Sequence, residues 1–430
     1  MKINSVKARE ILSSGSTPSI EVKCELKSGA VGIASVPYGA SAGIHEAFVL
    51  LDGNKKRYFG KGMLKAVNNV NKIIAPKIIN KDANNQKEID YLIKKIDGTE
   101  NKKRLGANAI LGVSLAVARA AANEKKIPLY KHIRDIFRLN IKNYILPNPM
   151  MVVIEGGKHA DKSTDLQEYM ISPIGNKPVK ENVRCGIEIY LSLKEILKKR
   201  GLNVSVGNEG AFAPAGLPTN ESPLKLIQEA IKKSGYKTGK DVGISLDPAT
   251  TEIFKNNKYI LKKENKKLNS EQMIDYFEKW VDKYPIITLE DPLHEDDWIN
   301  WPKITKKLGK KIAIIGDDLT VTNKKRLQKA INTKAINSIL IKLNQIGTLT
   351  ETVETCMLAR KHNIMTVVSH RGGGETNDTS MIDLAVAVNS GFVKVGPSRG
   401  ERVCKYNRLM EIEEELGTKA KYAGKAFRGP

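Results

Sequence analysis

Between residue 3 and about residue 36 apolar and polar side chains alternate, most clearly in Ile20 Glu21 Val22 Lys23 Cys24 Glu25 Leu26, which ends at Ser28 Gly29 and is followed by Val31 to Val36. A period of two puts alternate side chains on opposite faces of a strand, so this stretch predicts an antiparallel meander. From about Lys61 to Ile79, and again from Ala107 to Lys125, apolar residues return every three or four positions. That is the period of a helix, and the second run is rich in alanine, the strongest helix former. Residues 1–135 are therefore expected to form an α+β domain.

Past Pro147 Asn148 Pro149 the pattern changes to short apolar runs, each closed by a polar or charged residue and separated by amphipathic helices. Gly243 to Leu246 runs into Asp247, Ile286 to Leu289 into Glu290, and Ile312 to Gly316 into Asp317; Ser338 to Ile341 runs into Lys342, Met365 to Ser369 into His370, and Phe392 Val393 into Lys394. After Glu290 the interval is that of one strand plus one helix in an α/β barrel, which carries its chemistry at the C-terminal ends of its strands. Residues 145–430 are expected to form that barrel and hold the site.

Composition narrows the function classes. The chain has 430 residues, 41% hydrophobic and 27% charged, which is the balance of an ordinary globule. No apolar run approaches the roughly 18 residues of a membrane span, and Met1 Lys2 Ile3 Asn4 Ser5 lacks the apolar core of a secretion signal, so a cytoplasmic address is expected with no membrane partner. Cys24, Cys185, Cys356 and Cys404 show no paired spacing, which argues against a disulfide framework or a zinc site. The net charge of +24 favours anionic partners, yet it is spread along the chain, aromatic residues are 6%, and no nucleic-acid-binding signature is present. Nucleic acid is thus a minor candidate beside a small anionic substrate.

Three acids, Asp247, Glu290 and Asp317, end separate strands, and a closed barrel would gather them at one rim as hard oxygen ligands for a magnesium-like ion. Any one of them alone reads as a strand-end or helix-cap carboxylate. Lys342 follows a buried-looking run and must face acids or an anionic ligand there, since an unpaired ammonium would be costly; a cation beside it would lower its pKa toward use as a base. Lys394 is placed in the same way. Glu155 Gly156 Gly157 Lys158 His159, Gln167 Glu168 and Gly207 Asn208 Glu209 Gly210 add Gly-rich loops with His and Glu, and Tyr38 to Gly43 forms another that contains Ser41.

In this order the residues resemble the enolase family from about Arg9 to Pro430. The strongest matches are GISLD, ITLEDPLHEDDW, GDDLTVTN, NSILIKLNQIGTLTE and VVSHR, with RLGANAILGVSLAVARA in the first domain. The resemblance implies an N-terminal α+β domain followed by a modified TIM barrel, and magnesium-dependent dehydration of 2-phosphoglycerate to phosphoenolpyruvate by a homodimer or homo-octamer. It implies that Asp247, Glu290 and Asp317 hold the first magnesium and that Ser41 helps with a second. Lys342 would be the base at C2 and Glu209, with Glu168, the proton donor at C3. Gln167, His159, His370, Arg371 and Lys394 would contact substrate.

The chain departs from the family pattern in its loops. Ser13 Ser14 Gly15 Ser16 Thr17 Pro18 stands where Asp-Ser-Arg-Gly-Asn-Pro is usual, Tyr38 and Ala42 replace Ser and Thr, Glu155 replaces Asn, Asn208 replaces Asp, and Ala211 replaces Gly. After Arg371 a Ser gives way to Gly372 Gly373 Gly374, with one extra residue. None of these changes touches Lys342, Glu209 or the three strand-end acids. Two alternatives stand beside the leading expectation: a paralogue acting on another carboxylate acid, and a basic anion-binding protein with little catalysis.

Overall fold

A computed structural model describes residues 1–39, 43–161 and 163–425. Ser41 and Ala42, like Phe427 and Arg428, lie outside the described residues. The chain opens with the expected antiparallel meander, β1 (Ile3–Leu12), β2 (Pro18–Leu26) and β3 (Val31–Val36), in the order β1-β2-β3. Ile20, Val22, Cys24 and Leu26 are buried while Lys23 between them is exposed, as the alternation requires. The inward face packs on the helix Ala107–Glu124. Contact is close because the helix is built of small residues and faces Gly32, where a Cβ would stand 2.2 Å from the backbone of both Ala116 and Ala120.

The segment 61–79 is not one regular helix. It is a short helix Leu64–Asn68, a π-helical stretch Asn69–Ile74 and a last turn Ala75–Ile78. Pro76 explains the widening: it has no N–H to donate and its ring crowds the carbonyl of residue 72, so the preceding turn must loosen.

The larger part is a closed eight-stranded barrel. Its strands are β4 (Asn148–Glu155), β5 (Glu168–Pro173), β6 (Val242–Asp247), β7 (Ile286–Glu290), β8 (Ala313–Gly316), β9 (Ser338–Ile341), β10 (Met365–Ser369) and β11 (Phe392–Val395). Most neighbours are parallel, but β5 runs against both β4 and β6. Glu168 therefore reaches the active rim from the start of its strand, and the register sets Glu155, Glu168 and Asp247 side by side on three adjacent strands. Below the rim an apolar plug of Met150, Val152, Met170, Ile287, Ile315, Leu340, Val367 and Phe392 fills the barrel, so the polar residues have only the mouth to occupy. Lys394 lies inside β11, one residue before its end.

The first domain is tied to the barrel by buried polar links. Asp90 accepts hydrogen bonds from the Thr350 N–H and hydroxyl at the start of helix Leu349–Lys361, and the Ala47 N–H donates to the Gln345 carbonyl at 2.8 Å. Among the described residues no helix is long and apolar enough to cross a membrane.

Candidate active site

At the barrel mouth lies a small, partly enclosed cavity. Seven acids line it, Glu168, Glu209, Asp247, Glu252, Asp291, Asp317 and Asp318, against three permanent cations, Lys342, Arg371 and Lys394, among the described residues. Apart from the half-buried Asp318 and Lys342 and the exposed Glu252, these charges are buried. Buried carboxylates in excess of cations are costly, because each charge has lost its water. The molecule answers part of that cost with charge pairs.

Lys394 is the first answer. Its ammonium lies 2.8 Å from Asp247, 2.7 Å from Glu290 and 2.9 Å from Glu168. Burial opposes its charge, but these carboxylates more than offset that and hold its pKa well above the ordinary lysine value. Asp317 is the second centre. Its Oδ2 accepts from the Lys342 ammonium and its Oδ1 from the Gln345 amide at 2.8 Å. Burial and the neighbouring Arg371 and Lys394 favour the neutral amine of Lys342, yet Asp317 outweighs them and its pKa lies above the usual value. The lowered pKa expected from sequence is thus not the state of the cavity as the protein alone sets it; that expectation rested on a neighbouring divalent cation.

The opposite wall holds the acid-bearing group. Ligand atoms of His159, Glu168 and Glu209 lie within 4.8 Å of one another, with His370 Nε2 3.2 Å from Glu209 Oε2 and His159 Nδ1 3.4 Å from Glu168 Oε1. Burial, then the charge of Glu209, lifts the Glu168 pKa far above the carboxylate range. Burial lowers both histidines. Glu209 goes the other way: burial opposes its charge, but His370 and then His159 outweigh it and hold its pKa well below the carboxylate range, so the proton of the pair resides on Glu168. Gly372 permits the closeness: a Cβ there would lie 2.6 Å from Glu209 Oε1 and 2.7 Å from the His159 ring.

Asp291, Asp317 and Asp318 form the other set of ligand atoms within 4.8 Å. Asp247, Glu290 and Asp317 do not form such a set: Lys394 stands between the first two, and Lys342 with Gln345 holds the third. A cation nevertheless suits this wall. Glu290 Oε2 is buried with no hydrogen-bond partner among the described residues, burial and then Asp247 push the Glu290 pKa well above its usual range, and the donors are all hard oxygens. The acidic groups could hold a metal ion.

Gln167 also lines the cavity, its Oε1 buried without a partner. Arg371 is buried, and its Nη1 lies 2.9 Å from Glu46 Oε1. Several contributors carry no assignment from sequence. Asp291 accepts from the backbone N–H groups of Asp317 and Asp318 at 2.9 and 2.8 Å, fixing the strand end that presents Asp317. Gln345 joins Asp317 to the Thr322 hydroxyl, and Glu46 joins Arg371 to the loop before Ala47. The second acids of the Glu290–Asp291 and Asp317–Asp318 doublets were the available signal.

Two family models match the chain. That described as the enolase N-terminal domain matches residues 3–133, and that described as the enolase C-terminal TIM barrel domain matches residues 143–430. With a reversed strand in an otherwise parallel barrel and an acid-lined mouth beneath an α+β domain, the chain belongs to the enolase family.

Proposed function

We propose that the protein interconverts 2-phosphoglycerate and phosphoenolpyruvate plus water, with magnesium as its cofactor and with the domains dividing the chain into residues 1–135 and 145–430. The observation that carries this reading is that Lys342 and the neighbouring carboxyls Glu168 and Glu209 line one cavity at the barrel mouth in which acids outnumber cations.

Lys342 takes the proton from C2 of the substrate, and Glu209, supplied by Glu168, gives a proton to the departing C3 hydroxyl. Asp247, Glu290 and Asp317 hold the first magnesium, and Ser41 is the proposed contributor to a second. A bound magnesium would supply Lewis-acid polarisation of the substrate carboxylate, and its charge would offset that of Asp317, which otherwise keeps Lys342 protonated. Gln167, His159, His370 and Arg371 orient the substrate, and Lys394 balances the charge that builds on its carboxylate. Because acid and base are both held by the fold, neither the acceptor of the C2 proton nor the donor to the C3 hydroxyl has to arrive from solvent.

A second reading, a related dehydratase for another carboxylate acid with a hydroxyl at C3, is favoured by the Glu46 partner of Arg371 and by Gly372, which offers no hydroxyl to a phosphate. The test is the ultraviolet absorbance of phosphoenolpyruvate formed from 2-phosphoglycerate with and without magnesium, run beside elimination from non-phosphorylated 3-hydroxy acids. Magnesium-dependent turnover of the phosphorylated substrate is expected. No turnover by the folded, metal-loaded protein rejects the leading reading, and turnover of a non-phosphorylated acid alone selects the second.

A further inference from the structure

Glu155 sits at the end of β4, fully buried, in a position that none of the roles above uses. Its Oε1 accepts two backbone hydrogen bonds, from the N–H of Glu209 and from the N–H of Ala211, both at 2.9 Å. Its Oε2 is buried without a partner among the described residues, and flanks, with the His159 carbonyl oxygen, the point where a Cβ on Gly207 would stand. Gly207 leaves room for this carboxyl and Gly372 leaves room for that of Glu209. One oxygen thus pins both sides of the residue that carries the proposed acid, over a chain separation of more than fifty residues. The departure of Glu155 from the family's Asn accompanies a departure at Asn208, next to the residue it holds.

We infer that Glu155 is a positioning residue for the proton-donating half of the reaction: it fixes the 207–211 loop so that Glu209 faces its histidines and Glu168. The inference rests on the proposed function only for its catalytic readout. Burial, then the charge of Glu209, raises the Glu155 pKa to about 8, so near neutral pH it is largely uncharged and clamps without adding a second full charge beside Glu209. The charged and titratable groups around it are Glu209, Arg402 and Tyr190, with Glu168 beside it on β5 and His159 across Gly207.

The experiment compares full-length, magnesium-loaded wild type with Glu155→Leu, Glu155→Asp and Glu155→Gln. Leu removes the acceptor, Asp withdraws it by one methylene, and Gln keeps a carbonyl oxygen in reach of both N–H groups. Three quantities are read: phosphoenolpyruvate formation, exchange of the substrate C2 hydrogen with deuterated solvent, and amide hydrogen exchange of the peptide spanning residues 207–211. The expected result is a fall of about 30-fold or more in dehydration for Glu155→Leu, with C2 exchange within about threefold of wild type, faster amide exchange in the loop, and recovery to within about fivefold in Glu155→Gln. If Glu155→Leu does not fold, Glu155→Asp must show the same selective loss and faster loop exchange. Equal loss of dehydration and C2 exchange, or loop amides unchanged in Leu and Asp, overturns the inference. If wild type itself turns over no 2-phosphoglycerate, the proposed function fails, and the amide exchange of the variants still decides whether Glu155 clamps the loop.

Discussion

The two walls of the cavity are held in different ways. On the side of Lys342 the links run mostly through side chains and reach from one domain to the other: Asp317 joins Lys342 and Gln345, the Gln345 backbone carbonyl accepts from Ala47, and Glu46 engages Arg371. On the side of Glu209 the links stay within the barrel, where a loop is caught by its backbone N–H groups and its carboxylate is wedged between two buried histidines. A base that must give up a proton to function is placed where docking of the first domain can adjust its partners. The proton for the acid step is kept by burial on Glu168, while His370 and His159 hold Glu209 itself well below the carboxylate range in spite of its burial. The difference predicts that the two walls fail separately.

The sharpest break is Lys342→Ala, which leaves no base at C2. Positioned proton transfer contributes about 10² to 10⁴-fold, so turnover and C2 hydrogen exchange are both expected to fall by at least about 10³-fold with magnesium still bound. Turnover untouched by the substitution would remove Lys342 from its role. Next in size is Glu209→Gln, which keeps the shape of the acid wall and leaves no carboxyl there to carry a proton to C3. Dehydration should drop roughly 10² to 10³-fold, while C2 exchange, which needs only the opposite wall, continues. If both fall together, the walls are one unit and the comparison collapses.

A smaller effect tests the domain crossing. Gln345→Leu removes the amide that holds Asp317 Oδ1 and leaves the Thr322 hydroxyl without its acceptor. Loosened orientation of a ligand by loss of the residue behind it typically costs 10 to 100-fold in metal affinity or activity. The expected signs are weaker magnesium binding by titration calorimetry and an unchanged amide-exchange rate in the 207–211 loop. Faster exchange there would mean that the base wall supports the acid wall after all.

How far the sequence disclosed this follows from where each signal lies along the chain. Asp247, Glu290, Asp317 and Lys342 were legible because each directly follows an apolar run, and the closed barrel sets such ends on one rim. Glu168 carries no such signal: it opens its strand, and only the reversal of β5 brings it to the rim. Gln345 and Glu46 meet across 299 positions, and Glu155 finds its N–H partners 54 and 56 positions away, so no local pattern could mark them. The pairing of Lys394 with Asp247 and Glu290 was equally hidden, since spacing places residues on strands without saying which opposite charges will touch.

The smallest effect lies outside both walls and guards against misreading them. His132, on the first-domain helix Leu129–Phe137, is fully buried with neither ring nitrogen hydrogen-bonded among the described residues, and burial pushes its pKa down to about 4 from 6.5. Between those two pH values the unfolded chain binds a proton that the folded chain refuses, so stability is unaffected above pH 6.5 and falls as pH drops toward 4. Over the full shift the loss is roughly 3 kcal/mol. Activity would then decline in mild acid through unfolding, in the same range where titration of the acid wall would be sought. His132→Leu removes the titrating ring without breaking a hydrogen bond, and urea unfolding at pH 4.5 and 7.5 should show a smaller difference between the two pH values than wild type. The same difference in both proteins would place the acid sensitivity elsewhere, and a flattened unfolding curve with an unchanged activity profile would return that profile to Glu168 and Glu209.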